Sequence, residues 1–417
     1  MNAANTAPSA AGGGMPSWIA PLAITMVMQT MAAFLMRVLP VIGPELTAAA
    51  GLSPEKIGIL AGLVAGGTMW FLVGGSLLLT YFGPVRLLQL GALVGSLSVL
   101  LSTTAYWPLL AVASIAIGVG YGPSPPAGSE ILTRNAPKGR RSLIMSIKQS
   151  GVPLGGALAG LLLPPIAAAA GWRVALATAA ALSLVAALLV QPWRARLDAD
   201  RDPSRPPTLA NLFAPANLKA PFVVLFDIPG MLPVTFAGFC FACVQGCLLT
   251  FFVTQLTTEV GYTLAVAGAA FSAMQFAGTF ARVVMGWLAD KLGGMRALVV
   301  LSLTSSLMVL VVSRIGLGWP VWAVTLVGLI VGMTSTSWNG VYLAEVARLA
   351  PPGRVGDATS GSTFFTFSGY LFSPIVFALV VPMVGSYGTC FVALAAIAIL
   401  AAPVLWPHAR AAHAAER

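Results

Sequence analysis

The chain is poor in charge. Only 8% of its 417 residues are Asp, Glu, Lys or Arg, against roughly 25% in a soluble domain. So few charges cannot cover a water-facing surface. The apolar side chains, 58% of the total, therefore need lipid as their solvent. Histidine is nearly missing, and the two present, His408 and His413, lie at the end of the chain. Without a histidine in the apolar segments, paired carboxylates, a metal set or a phosphate loop, enzyme chemistry has no groups to use. No catalytic residue, metal or cofactor is expected. The four cysteines do not alter this. Cys240, Cys243 and Cys247 share one apolar run and Cys390 falls in another, with no histidine or carboxylate beside them. They read as small packing residues.

The net charge of +10 is not that of a nucleic-acid binder. The basic residues form no patch or arm, and sit instead in short gaps between apolar runs, as membrane orientation requires. Residues 1–16 contain no Lys or Arg, so the basic start of a signal peptide is missing. The apolar run from Trp18 is too long for a signal core and is expected to be a first, uncleaved membrane helix.

A spanning helix needs about 20 apolar residues, and twelve segments qualify. They are 18–42, 57–80, 86–105, 107–130, 142–166 and 171–192, then 231–256, 263–289, 296–314, 319–345, 359–384 and 387–406. The one long charged, Pro-rich stretch separates the sixth from the seventh. The expected organisation is a cytoplasmic tail 1–16, a six-helix bundle 17–193, a cytoplasmic linker 194–220, a second bundle 221–406 and a tail 407–417. With both termini inside, the inner gaps and tails hold 16 Lys/Arg and the outer gaps three, Lys56, Arg173 and Arg314. That asymmetry sets the orientation, and an inner bacterial membrane is the expected location.

The halves repeat. The fourth segment ends Glu130-Ile-Leu-Thr-Arg134-Asn-Ala-Pro137-Lys-Gly139-Arg140, and the tenth ends Glu345-Val-Ala-Arg348-Leu-Ala-Pro351-Pro-Gly353-Arg354. Two such repeats around a midplane cavity are a common transporter plan.

Between the eighth and ninth segments stands Gly286-Trp-Leu-Ala-Asp290-Lys-Leu-Gly293. It resembles the G-x-L-a-D-r-x-G loop of the major facilitator superfamily. Gly286 would let a neighbouring helix approach, Asp290 could meet a helix N-terminus or a basic side chain, and Gly293 would make the tight turn. The first-half copy is eroded, with Ser76 in place of Gly and Thr80 in place of Asp. Ser114-Ile-Ala-Ile-Gly118-Val-Gly120 is similar to the family's R-x-x-x-G-x-G element with its Arg replaced, so a proton-handling role for that Arg does not transfer. Gly151-Val-Pro153-Leu-Gly155-Gly156 is similar to the Gly/Pro-rich fifth helix of the antiporters, with the Pro one place late, and reads first as plain packing through small residues.

The resemblance covers the whole chain and implies twelve transmembrane helices in two pseudo-symmetric bundles, an all-α membrane protein. Arg37-Val-Leu-Pro40-Val-Ile-Gly43-Pro44 resembles the first helix of the cyanate/nitroimidazole permease group. Ser146-Ile-Lys148-Gln149 and Ser337-Trp338-Asn339-Gly340 look like related bacterial carriers, and Arg282, eight residues before Asp290, is similar to an Arg of oxalate and monocarboxylate carriers.

Three cations fall inside the segments, where charge is costly unless it faces a cavity or a partner. Arg282 either contacts substrate or pairs with a neighbouring helix. Arg37 either faces the pathway or snorkels outward, and Lys148 faces the cavity or snorkels inward. No carboxylate sits mid-segment, so the expected cavity is positive and suits a small anion. Gln29, Tyr121, Gln245, Gln275, Trp338, Asn339, Tyr342, Phe365 and Tyr370 are candidates to complete it, or else interhelical packing. Glu130 with Arg134 and Glu345 with Arg348 are spaced to share a helix face, as inner gate pairs or as solvated surface pairs.

The expected activity is secondary transport of a small anionic solute by rocking of the halves. The expected partners are that solute, a coupling proton or counter-ion, and the bilayer, and the expected state is a monomer. The rival reading is an exporter of the same superfamily for apolar or cationic compounds, which would need a buried carboxylate.

Overall fold

In lipid every backbone N–H and C=O must be satisfied within its own segment, which leaves the helix as the way for an apolar run to cross. The computed structural model describes residues 17–137, 141–204, 225–351 and 354–415, with 206, 208 and 223. Among these the regular structure is entirely helical, and twelve helices are long and apolar enough to span a bilayer. They are α1 Ile19–Ala49, α2 Pro54–Leu72, α3 Pro84–Thr104, α4 Trp107–Asn135, α5 Ile147–Ala170 and α6 Trp172–Leu197, followed by α7 Met231–Thr258, α8 Leu264–Leu292, α9 Gly294–Val312, α10 Val321–Leu349, α11 Ala358–Val384 and α12 Tyr387–Arg410. Residues 1–16, Lys138 to Arg140, Lys219, Gly353, Arg417 and most of the expected linker lie outside the described residues.

Where spans differ from the sequence expectation, the cause is local. The first helix does not stop near 42 but runs through Pro40 and Pro44 to Ala49. The second is interrupted at Gly75, and a short helix Ser76–Phe82 follows. In α5 the regular helix stops at Gln149 and restarts at Gly151, so the interruption lies at Ser150 rather than at Pro153. Pro153 sits in the first turn of the restarted helix, where a missing N–H costs no hydrogen bond. Two more interruptions, at Gly122–Pro123 in α4 and Thr336–Ser337 in α10, fall at matching places in the halves.

Each half repeats the other's packing. In the first half α1 packs on α5, α2 on α4 and α3 on α6; in the second α7 packs on α11, α8 on α10 and α9 on α12. The two largest seams between the halves are α5 against α8 and α2 against α11, exchanged by the same pseudo-twofold, and α1 also meets α7. At the first seam Gly160 and Gly268 face each other so closely that a Cβ on either would come within 2.6 Å of the other's carbonyl oxygen. The Ser272 hydroxyl donates to Ala157 O across this seam at 2.7 Å.

We call the side carrying the α2–α3 and α8–α9 loops the basic face. In the half of the molecule away from it, one apolar cluster runs through both bundles, from Phe34, Leu39, Ile42 and Ile57 to Phe251, Phe252, Phe377 and Phe391. Toward the basic face the apolar core splits into separate clusters, one centred on Val85, Leu88 and Ile131, another on Phe241, Trp338 and Val346. The halves are thus packed together at the far face and parted at the basic face.

Candidate functional site

A cavity of about 530 Å³ occupies the parted region. Its wall takes Gln29, Met36 and Arg37 from α1, Tyr121, Pro125 and Ser129 from α4, and Gln149 and Val152 from α5. The other half supplies Gln245 from α7, Arg282 from α8, Asn339 and Tyr342 from α10, and Thr359, Ser360, Thr363, Phe364, Thr366, Phe367 and Tyr370 from α11. Among the described residues no acidic side chain lines it.

Arg37 and Arg282 come one from each half. They act electrostatically on each other, and both act on the hydroxyls of Tyr121 and Tyr370. Their surroundings differ. Arg282 donates from Nε to Thr336 O at 3.2 Å and from Nη1 to Gln149 O at 3.0 Å. Both acceptors belong to helix interruptions, whose carbonyls lack helical partners. The two readings of Arg282 are therefore compatible, since it lines the cavity and also pairs with neighbouring helices. Arg37 makes no hydrogen bond or ion pair with another described residue, and it faces the cavity rather than the far headgroups.

Lys148 is not on the cavity wall. Its side chain is 1% exposed, and Nζ donates to Pro125 O at 3.2 Å beside Gly128. It faces α4, because the turn of helix that points Gln149 inward points its neighbour away. Gln29 Nε2 donates to Gln149 Oε1 at 2.8 Å.

A second network surrounds Gln245. Its Oε1 accepts from Trp338 Nε1 at 2.9 Å, from Asn339 Nδ2 at 3.3 Å and from Tyr370 Oη at 2.7 Å. Trp338 itself is fully buried, stacked on Phe241, and so holds the wall from behind. Gln275 is buried against Gly156 at the α5–α8 seam. Phe365 packs on the second-half core while its neighbours Phe364 and Phe367 line the cavity. Tyr342 lies deep in the wall, its hydroxyl bonded to Ser362 and Thr366.

At the basic face the expected gate pairs exist, each within one half. Arg134 meets Glu130 at 2.5 Å and Asp200 at 3.0 Å; Arg348 meets Glu345 at 2.6 Å. The pairs are not equivalent. Glu345 is buried beneath Gly294 at the start of α9, where an added Cβ would strike its carboxylate, so it also faces a helix N-terminus. Glu130 is half-exposed. In the first half that helix-end role belongs to Asp198, which accepts from the N–H groups of Val85 at 2.7 Å and Arg86 at 3.0 Å at the start of α3. Thus Asp198, just past α6, stands at the start of α3 as Glu345 stands at the start of α9.

In the intact loop Gly293 takes a positive φ of 83° and turns the chain. The close approach expected at Gly286 is not seen, since a Cβ there would meet nothing within 4 Å. Asp290 is exposed, with no hydrogen bond or ion pair to a described residue. Gln149, Ser129 and the Thr/Ser-rich start of α11 were missed as site residues in the sequence. The available signal was the SIKQSG stretch, where a polar run interrupts an apolar segment.

The protein is similar to known transporters. "Probable nitrate/nitrite transporter NarK2" of Mycobacterium tuberculosis is 29% identical over 210 residues, half of this chain and half of that one. "Probable anion transporter 5, chloroplastic" of Oryza sativa subsp. japonica is 30% identical over 91 residues, 21% of this chain and 19% of that one. The chain thus matches half the length of these relatives or less. Among solved structures, a POT family transporter in complex with 5-aminolevulinic acid superposes with a TM-score of 0.77 at 13% identity, covering 95% of this chain and 97% of that one. A bacterial homologue of the lysosomal transporter Spinster, inward-facing and occupied, gives 0.72 at 15% identity, covering 95% and 98%. At such identities these likenesses speak for the fold alone. The model of the Major Facilitator Superfamily matches residues 22–360, from the first span into the eleventh, so the chain belongs to that superfamily.

Proposed function

We propose that the protein is a secondary carrier for a small anion, working by alternating access between the two halves. The observation that carries this reading is the pair Arg37 and Arg282, one from each half, in a cavity with no acidic side chain among its described wall residues. Fixed cations in a confined cavity of low dielectric concentrate anions and repel cations. A guanidinium also offers a planar fork of donors that fits an oxygen-bearing anion. The names of the nitrate/nitrite and anion transporters support the same class. An exporter of cations or apolar drugs would call for a carboxylate or a bare apolar wall instead.

Here the basic face is cytoplasmic, the location a bacterial inner membrane, and the conformation inward-facing. The glycine-lined seams allow the halves to tilt, and the anion draws Arg37 and Arg282 together by neutralising their repulsion. The Glu130–Arg134 and Glu345–Arg348 ends then approach as the inner gate. An uptake screen in proteoliposomes across small inorganic and organic anions, with Arg282→Ala as control, tests the proposal. Saturable uptake of at least one anion, lost in the variant, is expected. Transport of no anion, or a fully active variant, defeats it.

A further inference from the structure

The Gln245 network fixes more than packing. An amide side chain has one acceptor end and one donor end, and its orientation follows from its partners. The indole N–H of Trp338 can only donate. The Gln245 atom 2.9 Å from it must therefore be the oxygen. That oxygen also takes donors from Asn339 and Tyr370, so three donors surround it and its lone pairs are used. The amide nitrogen has no hydrogen-bond partner among the described residues. It is not among the buried polar atoms that lack one either, so it is open on the cavity wall that Gln245 helps to form. Tyr370 has committed its hydroxyl proton to Gln245, which leaves its ring and not its O–H donor for the cavity.

We infer that Gln245 is a specificity-determining residue that presents its N–H groups to an oxygen of a small oxyanion, and that Trp338 is the positioning residue holding the amide in that orientation. The inference rests on the anion-carrier reading and names the chemistry of its substrate. An oxyanion bound between Arg37 and Arg282 brings oxygens with lone pairs against the second-half wall. A donor there strengthens binding, whereas a turned amide would offer it an oxygen and repel it. Trp338 touches no solute, being fully buried. Its N–H is what makes the turned amide unfavourable, since turning would set two donor groups against each other and leave both buried and unmet.

The test is uptake of labelled nitrate, nitrite and formate by proteoliposomes containing wild type, Gln245→Leu, Gln245→Glu, Trp338→Phe and the Trp338→Phe/Gln245→Leu double variant. Monodispersity in detergent checks folding. Gln245→Leu is expected to raise KM roughly tenfold to a hundredfold, as for a lost hydrogen bond to a charged group, with maximal rate little changed. Gln245→Glu, which keeps the oxygen for Trp338 but turns a second oxygen to the cavity, is expected to abolish uptake. Trp338→Phe keeps the stacking on Phe241 and frees the amide, so KM rises by less. The double variant is no worse than Gln245→Leu alone, because Trp338 acts only through Gln245. If Gln245→Glu transports like wild type, or the two KM effects multiply in the double variant, the inference is wrong while the anion-carrier reading stands. If wild type moves only anions that carry no oxygen, the oxyanion assignment fails; if it moves no anion, both fail together.

Discussion

The guanidinium of Arg282 donates to the carbonyl oxygen of Gln149 across 3.0 Å, and that bond ties α8 to α5 over the boundary between the halves. A second donor of the same group holds Thr336 O in α10. Arg282 thereby joins the interruptions of two helices on opposite sides of the cavity. An anion competing for this guanidinium acts on the seam as well as on the site.

Arg282→Lys is expected to fail even though it keeps the charge. An ammonium is a point donor that cannot reproduce the fork spanning two carbonyls. Anion uptake should fall at least about thirtyfold, from ~2 kcal/mol or more of lost interaction. The melting temperature in detergent should fall too, because a buried carbonyl loses its partner.

Arg37→Gln separates binding from stability. Arg37 faces the cavity without a bond to any described residue, so its loss should raise KM by a similar factor and leave the melting temperature unchanged or higher. Thermal unfolding followed by size-exclusion, measured beside uptake, checks both.

Lys148→Met should be active. The ammonium lies behind the cavity wall on one carbonyl, Pro125 O, and replacing a buried charge with an apolar chain of similar length is often neutral or stabilising. Uptake within about twofold of wild type, with no change in KM, is expected from this substitution.

The glycines of the helix crossings differ sharply. A Cβ on Gly118 would lie 1.9 Å from Val64 O, and one on Gly332 would lie 1.9 Å from Met274 O, at matching crossings of the two halves. Gly118→Ala and Gly332→Ala should each destabilise by ~1–3 kcal/mol, as overpacking does. Gly286→Ala, with nothing near it, should not. Yields and melting temperatures of the three variants give the comparison.

Much of the fold was legible because its physics is composition. Apolar runs long enough to cross lipid can do little else, so twelve spans follow, and the Glu130 and Glu345 repeats mark the two halves. Arg37 and Arg282 were legible as site candidates because a cation in an apolar run is costly anywhere but a cavity or a polar partner. Lys148 satisfied the same criterion, yet the structure gives it a partner on α4. Sequence spacing does not separate a cavity from a backbone carbonyl. Gln149, Ser129, Thr359 and Ser360 were hidden for the opposite reason, since small polar residues occur in spans as ordinary packing. Trp338 looked like a contact and is a support, a distinction set by its burial behind Gln245. Asp198 was read as linker, because nothing local reveals that a carboxylate after α6 folds back onto the start of α3.

The central claim is that an anion is held between Arg37 and Arg282. The most direct measurement is counterflow of labelled nitrate or formate in proteoliposomes, comparing wild type with the Arg37→Gln/Arg282→Gln double variant. The account predicts saturable exchange by the wild type and none above the protein-free background by the variant. Equal exchange by both proteins, or wild-type exchange confined to cationic solutes, would contradict it.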